Sequence, residues 1–271
     1  MYLPSSIKLQ ADPVQLEQLD LNSSVVDNKK HYLSRLNKLQ KQLLNIQQAF
    51  YHQDERAIIV LEGQDASGKG GLIRRLTEKL DPRGYRVYPI SAPNKEEQSR
   101  HYLYRFQKHL PPAGKMAIFD RSYYGRVLVE RVEGFANTTE WQRAYQEINE
   151  FERMLVDDRV KIIKLYLHTS PEEQLKRFVE RLNNPLKRWK LTEEDIRNRE
   201  KWPFYIEAAN EMFKYTSTEA APWHAIAAEH KWFARLSGLE VIAKGLSNNL
   251  DTTPPPIDPA IVKLATDKLR I

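Results

Sequence analysis

Between Lys29 and Tyr51, the residues Tyr32, Leu36, Leu39, Leu43, Ile46 and Phe50 recur at alternating steps of four and three. That spacing draws one apolar stripe down one face of a helix. The stripe lasts about three heptads, so it suits a helix packed on a core and gives only marginal support to a coiled-coil contact between subunits. The period then changes. RAIIVLEG, residues 56–63, is a β-branched run ending in glycine and reads as a buried parallel strand. GLIRRLTEKL follows as a helix stopped by DPRG, then YRVYPI as a second strand and KEEQSRHYLYRFQKHL, residues 95–110, as one helix. A third strand ends at Asp120. Helical stretches are expected from about Tyr124 to Val132 and from about Thr139 to Asp157, the latter with Trp141, Tyr145, Ile148, Phe151 and Leu155 on one face. KIIKLYLHTS is a fourth strand. The helix after it starts with Ser170 as cap, Pro171 at the first position and Glu173 three on, a capping box with a proline start. NNPLKRWKLTEED interrupts before a long helix to about Tyr215, WHAIAA makes a fifth strand, and KWFARLSGLEVIAKGL is the helix after it.

Strands that alternate with helices predict an α/β fold with a parallel sheet of about five strands covered on both faces, and ligands then bind at the carboxyl ends of the strands. Residues 1–27 show no period and read as an irregular N-terminal segment. Residues 28–250 form the domain, and residues 251–271, opening with DTTPPP, read as an extended proline-rich tail. Composition changes this picture little. The chain has 271 residues, 41% hydrophobic and 29% charged, as a soluble globular protein has. It has no cysteine, which excludes disulfides and thiolate metal sites and suits a reducing compartment. There is no signal-like or membrane-spanning apolar run, so the expectation is a cytoplasmic protein without a membrane partner. The net charge of +6 is compatible with a polyanionic substrate, with nucleic acid, or with a merely basic surface.

The chemistry gathers at two strand ends. Gly63-x-x-x-x-Gly68-Lys69 follows a strand and opens a helix, the setting of a phosphate-binding loop. In such a loop the backbone N–H groups of residues such as Ala66, Ser67, Gly68, Gly70 and Gly71 cradle phosphate oxygens, and Lys69 adds a positive charge. An ordinary loop of this kind continues with Ser or Thr, whose hydroxyl binds Mg²⁺. Here Gly70 and Gly71 follow, so other oxygens must hold the metal. Asp65 lies inside the loop, and Asp120 ends the third strand where a metal-binding aspartate sits in such folds. Asp65 also fits a turn-former, and Asp120 a helix cap. Arg121 next to Asp120 suits a bidentate hold on a transferring phosphoryl group, or a structural ion pair. Arg177, Arg181, Lys187, Arg188 and Lys190, with Trp189 among them, read as a lid closing over phosphates, against the plainer reading of a solvated helix face. The seven histidines show no metal-ligand spacing.

The stretches GQDASGKGG, FDRSYYGRVLVERVEGF, NEFERML and NNPLKRWK…STEAAPWHAI together resemble the polyphosphate kinase 2 family, over roughly residues 28 to 248. The resemblance implies a three-layer α/β/α P-loop kinase fold with a helical lid at about 177–215. It implies transfer of the terminal phosphoryl of inorganic polyphosphate, with Mg²⁺, to a nucleoside diphosphate such as ADP or GDP, with AMP and GMP as further acceptors. Asp65, Lys69, Asp120 and Arg121 then carry catalysis, Asp65 and Asp120 hold the metal, and the cations between Arg181 and Lys190 hold the donor. A homo-oligomer, tetramer or dimer, is expected on the same ground. Two rivals remain: an ATP-dependent nucleoside monophosphate kinase, against which Gly70 counts, and a basic nucleic-acid-binding protein with a vestigial loop, whose binding would collapse with salt.

Overall fold

The computed structural model describes residues 6–23 and 28–269; residues 1–5, 24–27 and 270–271 of the two expected terminal segments lie outside it. Five strands, β1 (Arg56–Gly63), β2 (Tyr85–Pro89), β3 (Met116–Asp120), β4 (Val160–His168) and β5 (Trp223–Ala227), form one sheet in the order β2-β3-β1-β4-β5. Every pairing is parallel. β1, the strand that leads into the glycine loop, is central and has six consecutive buried residues, as a strand covered on both faces should.

Alternation along the strands divides the core. Ala57, Ile59 and Leu61 of β1 face one way and pack with α1 (Lys29–Gln53), α2 (Lys69–Thr77) and α10 (Lys231–Ser247). Ile58 and Val60 face the other way, towards α6 (Thr138–Asp157) and α9 (Trp202–Thr216). This is the expected three-layer arrangement. Tyr32, Leu36, Leu43, Ile46 and Phe50 of the α1 stripe are all buried, so the stripe is spent on the chain's own core.

Several expected elements break. The single helix expected over 95–110 is two turns, α3 (Lys95–Gln98) and α4 (Tyr104–Gln107). A capping box between Asn94 and Glu97 starts the first, and the Ser99 hydroxyl bonding back to the Glu96 carbonyl ends it. The stretch 124–132 is likewise a 3₁₀ turn, Tyr123–Arg126, followed by α5 (Val129–Val132). The long helix to Tyr215 divides at Lys201 into α8 (Glu193–Glu200) and α9, because Pro203 sits in the first turn of α9 and donates no bond backwards. At α7 (Pro171–Asn183) Ser170 caps Glu173 N–H as expected, but the reciprocal half of the box is absent. The Ser170 N–H goes to Glu229 at 3.0 Å, and Glu173 holds Arg177.

The termini also differ from expectation. The first segment is irregular yet docked: Leu16 is buried, Gln10 N–H donates to Ser217 O at 2.8 Å, and Leu9 bridges Thr218. The tail is extended only through its prolines; Pro259–Leu269 forms a helix, α11, capped at Asp258 and exposed along its length. Among the described residues no helix is long and apolar enough to cross a membrane.

Candidate active site

The loop between β1 and α2 is shaped by glycine where the backbone demands it. Gly63 has φ +135°, and a Cβ there would lie 2.2 Å from the Leu167 carbonyl of the neighbouring strand. Gly70 is different: a Cβ there meets nothing within 4 Å. The missing hydroxyl is therefore not a matter of room. Ala66 at φ 60° and Gly68 at φ +114° turn the loop between them. The Ser67 side chain is buried inside it.

Lys69, the first residue of α2, folds back along the loop and donates to the carbonyls of Gly63 at 2.6 Å and Gln64 at 3.1 Å. Burial and the nearby Arg121 charge pull its pKa down, against Asp65, Asp120 and Glu62, which support the charge. Asp65 is brought to Arg121, Oδ1 to Nη2 at 2.5 Å, and its other oxygen accepts from Asn198 Nδ2 of α8 at 2.8 Å. Burial pushes the Asp65 pKa up, but Arg121, Lys69 and these bonds together hold it below the usual carboxylate range. Arg121 follows the last residue of β3 with a left-handed backbone, φ 63°, and its N–H is tied to Leu61 O. Its second guanidinium nitrogen meets Glu194 of α8 at 3.3 Å. Burial works against the Arg121 charge, and Asp65, Glu194 and Glu62 outweigh it, so Arg121 stays protonated.

Asp120 has the parity of Met116 and Ile118 and so faces the α2 side of the sheet. Among the described residues its carboxylate makes no hydrogen bond or ion pair, and it lends charge to Lys69. Asp65 and Asp120 thus sit on either side of Lys69's field, one tied to an arginine and one free. One or two carboxylates are what magnesium usually takes from a protein, water and phosphate filling the rest of its shell. Both Asp65 oxygens are engaged here, by Arg121 and Asn198, and no cluster of three or more acidic or histidine side chains gathers among the described residues.

Arg177 departs from expectation. It is buried behind the loop, where Nη1 donates to the carbonyls of Ala66 and Ser67 and Nη2 to those of Ala228 and Glu229, at 2.6–3.0 Å. Its Nε pairs with Glu173 at 2.8 Å. With its donors spent on protein, it braces the loop rather than contacting phosphate. Gln174 adds a bond to Asp65 O at 3.0 Å. Arg181 donates to Lys190 O at 2.9 Å and faces Asp195 at 3.5 Å, Lys187 pairs with Glu180, Arg188 donates to Leu182 O at 2.8 Å, and Lys190 lies over the Trp189 ring at 5.1 Å. None of these four borders the main cleft. Of the segment expected as the lid, Glu194, Arg197 and Asn198 of α8 and Trp202 and Tyr205 of α9 line that cleft.

That cleft, about 920 Å³, opens at the carboxyl ends of β1, β2 and β3. Asp65 and Arg121 stand at one end of it, and Arg100, Arg105 and Arg126 line it further on. Arg126 lies over the Tyr102 ring and its buried Nε has no partner among the described residues. Several of these residues escaped sequence reasoning. Asn198 and Glu194 carry no motif. Glu62 left a signal: it is a carboxylate inside a buried strand. It accepts from the Ser122 hydroxyl at 2.8 Å, and burial raises its pKa to about 7 despite that bond and the charges of Lys69 and Arg121.

A parallel sheet in this strand order, with a glycine loop and lysine at the end of its central strand, defines a P-loop kinase-like protein. The family model described as Polyphosphate kinase 2 (PPK2) matches residues 26–253. A polyphosphate kinase 2 structure from Arthrobacter aurescens TC1 superposes with a TM-score of 0.88 at 32% identity, covering 96% of this chain and 95% of that one. The chain belongs to the polyphosphate kinase 2 family. It is 48% identical over 222 residues to a polyphosphate:AMP phosphotransferase of Acinetobacter johnsonii, covering 82% of this chain and 46% of that protein. It is 39% identical over 213 residues to ADP-polyphosphate phosphotransferase 2 of Rhizobium meliloti, covering 79% and 70%. The chain thus spans about half the length of the AMP-named relatives it matches.

Proposed function

We propose that this chain moves the terminal phosphoryl group of inorganic polyphosphate onto a nucleotide, reversibly and without a phosphorylated enzyme. The observation that carries the reading is the Asp65–Arg121 pair beside Lys69, at one end of a cleft wide enough for a nucleotide. Family membership and the names of the relatives support the donor. For the acceptor, relatives at 45–51% identity are named for AMP, and others at 39–42% for ADP, GDP or NDP. On that ground a nucleoside monophosphate joins the diphosphate as acceptor, with AMP tested first.

In the transfer, an oxygen of the acceptor's last phosphate attacks the terminal phosphorus of polyphosphate. One P–O bond forms there, the bridging P–O bond of the donor breaks, and its electron pair stays on the shortened chain. Little covalent work falls to the protein, so alignment and charge carry the rate. Lys69 and the loop N–H groups hold the donor end. Arg121 exchanges Glu194 for phosphoryl oxygens and meets the charge that grows in the transition state. Asp65 keeps Arg121 aimed. Arg126 and Arg105 hold the acceptor phosphate. Phe135, 68% exposed at the cleft rim just after a left-handed Gly134, offers its face to the base. Asp65 and Asp120 would hold a magnesium ion, which when bound neutralises phosphate oxygens.

Wild type incubated with long-chain polyphosphate, Mg²⁺ and AMP, ADP or GDP in turn should form the next higher nucleotide, and a chelator should stop it. Product from ATP as donor but none from polyphosphate would support the ATP-dependent kinase instead.

A further inference from the structure

Beneath the site, on the α6 side of the sheet, lies a charged cluster that the transfer itself does not use. Lys164, in the middle of β4, has no exposed surface, and Glu152 of α6 is 1% exposed. Lys164 Nζ donates to Glu152 Oε2 at 2.7 Å, and it bonds to the Tyr124 hydroxyl and the Thr216 carbonyl, each at 2.8 Å. The other Glu152 oxygen accepts from both the Tyr123 and Tyr124 hydroxyls at 2.8 Å. Nζ also lies 5.2 Å from the centre of the Tyr124 ring and 5.3 Å from that of Trp223. The ammonium thus has three oxygen partners. Burial pulls the Lys164 pKa down and Glu152 supports the charge.

Burying an ion pair is a poor way to gain stability. Apolar residues of the same volume often do as well or better. Its cost is therefore better explained by what it fixes. Tyr123 and Tyr124 are the first two residues of the 3₁₀ turn that begins two residues after Arg121, and Ser122, just before the turn, caps it by accepting from Tyr124 N–H. Arg121 sits in a left-handed conformation that a non-glycine residue holds only when its surroundings enforce it. On its N-terminal side the Arg121 N–H is tied to β1. On its C-terminal side the chain is anchored by the Ser122 hydroxyl on Glu62 and, further on, by the two tyrosine hydroxyls converging on Glu152. Thr216, the last residue of α9, brings the helix that returns from the lid into the same cluster.

We propose that Glu152 and Lys164, acting through Tyr123 and Tyr124, form the positioning device that holds Arg121 on the transferring phosphoryl group. The inference rests on the phosphotransferase reading, through Arg121; wild-type turnover from polyphosphate tests that reading separately. These are positioning residues. They touch no substrate, so their loss acts on the rate and not on binding.

The test is a double-mutant cycle between Tyr124→Phe and Arg121→Lys, with kcat and both KM values measured on folded protein. Tyr124→Phe keeps the ring and deletes only the hydroxyl. It should lower kcat about tenfold while leaving the KM values of polyphosphate and nucleotide within about twofold. In the Arg121→Lys background the same change should cost almost nothing further, because the group it aims is already misfitted. Tyr123→Phe, which deletes the other hydroxyl bond, should behave alike and stands in should Tyr124→Phe not fold. A folded single variant with a lowered Tm and wild-type kcat would overturn the proposal, since the cluster would then serve stability alone. Losses that multiply across the two sites would overturn it as well.

Discussion

The glycine loop and the segment expected to act as its lid meet at Asp65 and Arg121, yet they are built in opposite ways. The loop is fixed from behind. Arg177 spends four bonds on carbonyls in and opposite it, Gln174 holds Asp65 O, and Lys69 ties its ends together, all with little or no exposed surface. The lid segment bonds to the loop pair through two side-chain tips, Asn198 on Asp65 and Glu194 on Arg121. Beyond α8 it leaves Leu186 84% and Trp189 76% exposed. A preformed cradle loses no order when phosphate arrives, whereas a lid held by two polar contacts can lift at small cost. The difference teaches where a cation is structural: one whose every nitrogen is spent on backbone carbonyls or a largely buried carboxylate is part of the frame, and one held by an exposed glutamate is free to trade partners.

The largest effect should come from the loop. Lys69→Ala should lower turnover from polyphosphate by about a thousandfold or more with the fold intact by circular dichroism, because charge neutralisation is most of the catalysis here. Activity within tenfold of wild type would remove Lys69 from the site. Next, Arg177→Met should destabilise the protein by about 3 kcal/mol or more, since it strands Glu173 and several carbonyls in the interior. Arg188→Met in the lid should stay within about 0.5 kcal/mol. Denaturant melts of the two variants side by side read that contrast, and equal losses would break it.

A pH dependence sharpens the same contrast. Burial pushes the Glu62 carboxyl beside the loop up to about 7, against 4.5 ordinarily. Between those values the unfolded chain has released this proton and the native protein still holds it. Stability from this group is therefore present below about 4.5 and is lost as pH rises to about 7, on the order of 3 kcal/mol. Glu62→Gln should be the more stable protein at pH 8, with the advantage fading towards pH 5. The smallest effect is expected at Glu194→Gln. Removing the carboxylate that competes for Arg121 should lower the KM of polyphosphate by about twofold to threefold, consistent with a half-exposed pair worth little. A rise in that KM would mean Glu194 aids the donor.

Much of the frame was legible in sequence because the strands of a doubly covered sheet are short, apolar and bounded by glycine or acid, and because α1, α6 and α10 are long enough to show a period. The breaks at Ser99 and Lys201 were not, since a stretch like KEEQSRHYLYRFQKHL has good helix formers on both sides of the stop. Asp258 as cap and Pro259 in the first turn are the local signals for α11, set directly behind a proline run that favours extended chain. The places of Asp65, Lys69, Asp120 and Arg121 at the ends of β1 and β3 were readable from their spacing to those strands. What spacing could not give was the partner of each cation. Arg177 and Arg188 look alike in the string, and only the packing of α7 against the loop separates them. Asn198 reaches Asp65 across 133 positions, and no local pattern records that meeting.

The most direct measurement is ³¹P NMR of the wild-type protein with polyphosphate, Mg²⁺ and AMP, followed in one tube. Direct transfer predicts that the nucleotide β-phosphorus signal grows as polyphosphate shortens, with no orthophosphate released. Orthophosphate without new nucleotide, or an unchanged spectrum from folded protein with AMP, ADP and GDP alike, would contradict it.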